Sequence, residues 1–316
     1  MIIDKSATNI NHFRRLIRLF KNARTGFFYF LDKINFEENE IILLPSYIGW
    51  SPYEGSGVFD PVSESKLPFE FYKLNDKLHI DMVDLKKMLN TYNVKVFVII
   101  HYFGYIDPNY LKIIELVREK GSLILEDQAH SMYTDLIFGS TGRKGDISIF
   151  SLHKMLPIDF GGALIANEES EHLINDIEIS NESVPSPWQY DLWAIAMKRR
   201  DNAELYSQLI QQLSPVIQPF YIDFPDNIVP VAYPIYINTP TREYRDYLYY
   251  ELNAAGFGVS TLYHTLITPI KYKDFPISHE ISKHIMHLPV HQDLGKSEIV
   301  KMIYFIENLL TKKIHS

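Results

Sequence analysis

Two kinds of apolar pattern alternate along the chain. EIILL (40–44) and VKVFVIIH (94–101) are short, continuous apolar runs, as expected of strands covered on both faces, and Pro45 ends the first. Between them, DMVDLKKMLNTY carries Leu85, Met88 and Leu89 at helical spacing, with Asp81 placed to cap the first turn. Asp107-Pro108 reads as the N-cap and first position of another helix, whose face is Tyr110, Ile113, Ile114 and Val117. Gly121 closes that helix, SLILED begins the next strand, and DISIFS (146–151) supplies one more. Strand–helix–strand units of this kind predict an α/β chain with a mostly parallel sheet between helices.

The texture changes after a stretch without Gly or Pro, Trp188 to Leu213, which predicts one or two long helices. VPVAYPIYI (229–237) reads as a strand broken by Pro234. A helix capped at Thr241 follows, with Tyr244, Leu248 and Leu252 on one stripe and a stop near Gly256. FGVSTLY (257–263) returns as a strand, and SEIVKMIYFIENLL (297–310) is a final amphipathic helix. The expected organisation is a large α/β domain over 1–199 and a smaller C-terminal α/β domain over 200–316.

Composition narrows the function. The 316 residues carry a formal charge of -8, which argues against binding nucleic acid by neutralising phosphates. Cys is absent, so disulfides and thiolate metal sites are excluded, and the histidines show no metal-ligand spacing. No apolar run approaches the ~20 residues of a membrane span, and MIIDKSATNINHF lacks the apolar core of a signal peptide. A soluble, cytoplasmic protein is expected, with no metal.

ILEDQAHS (124–131) places Glu126 and Asp127 directly after an apolar run. In parallel sheets ligands sit beyond the carboxyl ends of strands, so an acid there either meets a ligand or caps a following helix. Lys154 follows Asp127 by 27 residues, at the end of the next predicted strand. A lone lysine there is most simply a solvated loop residue. Paired with a carboxylate on the neighbouring strand end, it suits pyridoxal phosphate (PLP). The amine condenses with the cofactor's aldehyde as a Schiff base, and the carboxylate keeps the pyridine nitrogen protonated. Desolvation and nearby cations lower a lysine's pKa and free its amine to attack.

EDQAH, GDISIFSLHK and GGALIAN resemble, in order, the corresponding segments of DegT/StrS-type sugar aminotransferases, PLP enzymes of the aspartate aminotransferase fold (fold type I). ENEIILLPSY, VFVIIHYFGY, YINTPTREYRDYLYYELNAAGFGVSTLYH and HLPVHQDLGKSEI extend the likeness from about residue 23 to 312. The resemblance implies that Lys154 is the Schiff-base lysine and Asp127 the partner of the pyridine nitrogen. It places His130 at the phenolic oxygen, against the plainer reading of a core histidine with satisfied bonds. Ser151 and the turn ARTG (23–26) fall where the family binds the cofactor phosphate, with Thr25 adding a hydroxyl and Arg24 a charge. In YIGW (47–50), Trp50 and Tyr47 compete to stack on the ring, Trp50 being preferred. His264 is a candidate for the substrate rim.

Three departures stand out. FSLHK has about two fewer residues than the family between the FS pair and the lysine, and it sets His153 beside Lys154. NESVPSPWQYDLW (181–193) lacks the Gly-x-Asn-x-Arg segment that reaches the partner subunit's phosphate, and the chain is short where the family holds the nucleotide-sugar. The resemblance implies a homodimeric aminotransferase moving an amino group, from L-glutamate, onto a keto sugar. That sugar would be nucleotide-linked and destined for a cell-surface polysaccharide. The alternatives are a PLP-dependent sugar dehydratase using His153 and a non-catalytic relative acting as a binding or assembly subunit.

Overall fold

The computed structural model describes residues 15–177, 184, 186–213 and 215–314. Seven strands form the main sheet: β1 (Leu16–Phe20), β2 (Glu40–Pro45), β3 (Phe69–Tyr72), β4 (Asn93–Ile100), β5 (Leu123–Asp127), β6 (Ile147–Ser151) and β7 (Gly162–Ala166), in the order β1-β7-β6-β5-β4-β2-β3. The pairs among β3, β2, β4, β5 and β6 are parallel, while β7 runs antiparallel to both β6 and β1. Parallel neighbours require crossovers, and the helices provide them: α1 (Ala23–Lys33), α2 (Phe59–Glu64), α3 (Met82–Thr91) and α4 (Tyr110–Arg118). The predicted mostly parallel α/β sheet is therefore present. Its strands are nearly continuous in burial because side chains from both faces enter packed layers.

Beyond them lie α5 (Leu192–Ile210), β8 (Ile217–Pro219), β9 (Ala232–Ile237), α6 (Glu243–Ala254), α7 (Pro276–His284), β10 (Ile285–Pro289) and α8 (Lys296–Ile314). The antiparallel order is β10-β9-β8. Leu192 and Ala196 of α5 pack with the core beside β6 and β7, while Ala203, Tyr206 and Ile210 pack with the core of the small sheet. One helix thus belongs to both cores. No helix among the described residues is long and apolar enough to cross a membrane.

Local chemistry explains where the elements depart from expectation. Asp81 caps α3 as predicted, accepting from the N–H groups of Val83 and Asp84. α4 begins at Tyr110 rather than Pro108, although Asp107 accepts from Asn109 N–H as an N-terminal cap would; its other oxygen takes Ile80 N–H. Pro234 does not break its strand. Its carbonyl accepts from Phe220 N–H, so the donor it lacks would face the end of short β8, where little pairing is lost. Residues 257–263 do not form the expected strand: Gly258 and Tyr263 adopt φ of 66° and 60°, and only Ser260 bridges to His287. The ladder ends there and the segment turns to line a cavity.

Candidate active site

The carboxyl ends of β2, β5 and β6 open into one cavity of about 820 Å³, the position that an open α/β sheet reserves for ligands. Period-two alternation decides what each strand end contributes. Glu126 and Asp127 are neighbours on β5, so their side chains point to opposite faces. Asp127 faces the cavity with 7% of its surface exposed. Its Oδ1 accepts from Ala129 N–H at 2.8 Å, and no partner among the described residues takes the other oxygen. Burial raises its pKa; Ala129, Lys154 and His101 act in the opposite sense.

Glu126 does different work. Buried completely, it accepts from Tyr110 Oη, from Gly142 and Gly145 N–H at 2.8 and 2.6 Å, and pairs with His101 Nε2 at 2.7 Å. Burial alone would raise its pKa, but these donors outweigh it and hold the carboxyl below its ordinary value. It pins the loop ahead of β6 to β5.

β6 ends at Ser151, and one 3-10 turn, Leu152–Lys154, delivers Lys154 to the same cavity. Lys154 is exposed to water through the mouth, while Asp127, Glu54 and Arg24 stand around its amine. The walls govern the direction of the shift: lost hydration lowers its pKa, opposed by Asp127 and Glu54 and reinforced by Arg24. Ser151 is 3% exposed and lines the floor. His153 lines it too, with a buried Nδ1 that has no hydrogen-bond partner among the described residues.

His130, on the turn after β5, is 2% exposed. Its Nδ1 accepts from Phe103 N–H at 3.4 Å, which leaves the proton on Nε2. Burial, then Lys154 and His287, push its pKa well down, so the ring is neutral. Nε2 has no protein partner among the described residues, and His130 borders the cavity. Phe103 stacks on the ring at 5.8 Å and Tyr263 lies tilted at 5.6 Å. Both hold left-handed backbone, φ 58° and 60°, a conformation that costs a non-glycine residue about 1–3 kcal/mol. Strain there is tolerated because the packing around His130 fixes both aromatics.

The fourth wall is the N-terminus of α1. Asn22 caps it, and its side chain takes both the N–H and the hydroxyl of Thr25 at 2.9 and 3.0 Å. Thr25 is consequently not among the cavity-lining residues, contrary to the expected hydroxyl contact. Ala23 and Arg24 do line it, and as the first two helical residues their N–H groups have no partner within the helix. Arg24's guanidinium donates to the Glu54 carbonyl and lies 3.3 Å from Asp60, so it spans the wall rather than pointing free. Of the competing aromatics, Trp50 lines the cavity and is 45% exposed, whereas Tyr47 lies fully buried beneath it.

This arrangement fits pyridoxal phosphate. A buried carboxylate with one open oxygen suits a protonated ring nitrogen, and an unpartnered Nε2–H suits a phenolate. Two amides at a helix N-terminus that have no partner within the helix, lining the same cavity as Ser151, suit a phosphate dianion. Residues 181–183 and 185 of the segment expected to lack the interface motif lie outside the described residues.

The model of the DegT/DnrJ/EryC1/StrS aminotransferase family matches residues 73–179 and 191–307. The chain belongs to this family. Solved structures share the fold at low identity. The aminotransferase TlmJ from Streptoalloteichus hindustanus aligns at TM-score 0.73 and 18% identity, over 94% of this chain and 86% of that one. Helicobacter pylori PseC, an aminotransferase involved in the biosynthesis of pseudoaminic acid, aligns at 0.70 and 17%, over 91% and 85%. NtdA from Bacillus subtilis, with bound cofactor PMP, aligns at 0.70 and 16%, over 93% and 74%. A sequence search of curated proteins gives no match. Family and fold bear out the resemblance read from EDQAH, GDISIFSLHK and GGALIAN: the protein is an enzyme of the DegT/DnrJ/EryC1/StrS aminotransferase family and shares the fold of solved aminotransferases.

Reading the sequence alone missed Glu54, which lines the cavity on the tip SPYEGSG. The paired glycines at 55 and 57 marked a loop, but nothing there marked a cavity wall.

Proposed function

We propose that this chain is a PLP-dependent aminotransferase that moves an amino group from L-glutamate onto a keto sugar, nucleotide-linked and used for a cell-surface polysaccharide. The reading includes a homodimer acting in the cytoplasm, a cofactor-binding domain over 1–199 and a smaller domain over 200–316. One observation carries it: Lys154, Asp127 and His130, from two adjacent strand ends, border a single cavity.

When bound, the cofactor supplies an aldehyde that captures amines and a ring that accepts electrons. The protein's part follows from the side chains. Asp127 holds the proton on the ring nitrogen, its own burial being offset by that partner. His130 donates from Nε2 to the phenolic oxygen. Ser151 and the Ala23 and Arg24 amides would receive the phosphate, with the Arg24 guanidinium adding positive charge from the wall where Glu54 and Asp60 hold it. Trp50 covers the ring. Lys154 would hold the cofactor's aldehyde, and its amine, whose pKa burial lowers, would be the base that moves a proton at the substrate's α-carbon.

His153 supports a second reading, a sugar dehydratase, because its buried Nδ1, beside the same cavity, lacks a partner among the described residues. The two separate on glutamate. PLP-loaded protein mixed with L-glutamate should lose its visible band and release 2-oxoglutarate, and a panel of keto sugars should restore the band. A loaded protein inert to glutamate, whose activity on sugars vanishes in His153→Ala, favours the dehydratase. A chain that cannot be loaded favours a binding or assembly role.

A further inference from the structure

The tip between β2 and α2 is stiffer than its composition suggests. Ser51 and Gly55 exchange two backbone hydrogen bonds at 3.0 and 2.8 Å, and Glu54 N–H donates to Ser51 Oγ at 3.0 Å. Arg24 holds the Glu54 carbonyl, and Asp60 accepts from Ser56 N–H at 2.9 Å. Gly55 sits at φ 66°, and a Cβ there would lie 2.3 Å from Asp60 Oδ2. Trp50 N–H donates to the Thr265 carbonyl at 2.9 Å, tying the near end of the tip to the strap carrying Tyr263 and His264.

This rigid tip presents two side chains that make no hydrogen bond or ion pair among the described residues, Glu54 standing near enough to Lys154 to favour its charged form. Tyr53 is 96% exposed and borders the cavity. Glu54 borders it as well, and its carboxylate has no hydrogen-bond or ion-pair partner among the described residues. A large aromatic held out in water by a braced turn loses little entropy when a ligand covers it. An unpaired carboxylate beside an aromatic face suits a ring with hydroxyls at its edge and C–H groups on its face.

We propose that this tip recognises the acceptor. The Glu54 carboxylate accepts hydrogen bonds from hydroxyls of a neutral sugar ring, and the C–H face of that ring rests on Tyr53. The inference rests on the sugar aminotransferase reading and names the residues that select the acceptor. Arg24 is a positioning residue here, since it reaches the sugar only through the Glu54 backbone.

The test is calorimetric titration of the PLP-loaded protein with UDP-glucose and with dTDP-glucose, the visible band serving as the control for an intact site. Tyr53→Ala should weaken binding of the sugar probes about tenfold, and Tyr53→Phe should restore it to within about twofold. Glu54→Gln should weaken it about tenfold by removing charge-assisted bonds. Wild-type affinity in both Tyr53→Ala and Glu54→Gln overturns the proposal, as does failure of wild-type protein to bind either probe. A change of oligomeric state by light scattering in Tyr53→Ala, with sugar binding retained, also overturns it and assigns the tip to a second copy of the chain. The wild-type glutamate half-reaction tests the underlying reading separately: if it proceeds while the variants bind sugar normally, only this inference fails.

Discussion

Gly162 passes so close to Ala23 that a Cβ on Gly162 would lie 2.1 Å from the Ala23 nitrogen. The first residue of β7 is thereby in contact with the N-terminus of α1, and this contact sets how far the Ala23 and Arg24 amides stand from Ser151, whose backbone pairs with Gly162. Backbone cannot yield as a flexible side chain does. Gly162→Ala should therefore push α1 away, lowering stability by about 1–3 kcal/mol, and should weaken PLP binding more than tenfold. Thermal unfolding and PLP titration by absorbance check both. An unchanged PLP affinity would separate α1 from the phosphate site.

Adjacent acids should respond oppositely. Glu126→Gln puts an amide N–H₂ against the Gly142 or Gly145 N–H donors and should cost about 3 kcal/mol, seen as a lower Tm. The sign with pH follows from its depressed folded pKa: Glu126 stabilises the fold above its unfolded pKa of ~4.3, and that contribution disappears as pH falls through the folded value. Asp127 has the reverse sign. Its folded pKa is raised, so in the cofactor-free protein it stabilises at low pH and loses that contribution as pH rises.

Asp127→Asn should therefore leave the cofactor-free protein as stable as wild type or more so at pH 7, while kcat falls about 10²–10³-fold. Tm and kcat measured on the same preparation check this split. A large loss of stability with activity retained would make Asp127 a structural residue.

His130 donates from Nε2 only while Nδ1 accepts from Phe103 N–H. His130→Phe should keep the aromatic sandwich with Phe103 and Tyr263 but lose the donor, weakening PLP about tenfold and shifting the visible band. His130→Gln should recover most of the affinity. If both variants bind PLP like wild type, His130 is a core histidine.

Much of this site could be read from the chain because it sits on strand ends. Apolar runs located β4, β5 and β6, and Asp127 and Lys154 follow such runs directly, so their shared cavity follows from topology. Residues set by local backbone geometry were harder. Thr25 read as a phosphate ligand, but whether Asn22 or Thr25 occupies the cap depends on where α1 begins. The 257–263 segment has strand-like composition, and only the left-handed φ of Gly258 and Tyr263 turns it into a cavity wall. Glu54 escaped notice because the side chain that holds its carbonyl, Arg24, lies 30 residues away in sequence.

The central claim is that Lys154 is the amine bonded to the cofactor. Borohydride reduction of PLP-loaded protein, followed by digestion and mass spectrometry, measures this directly. The pyridoxyl group should be found on the peptide containing Lys154, and Lys154→Ala should leave the protein colourless and unlabelled. A reduced adduct on another lysine, or a yellow Lys154→Ala protein that borohydride still traps, would contradict the account.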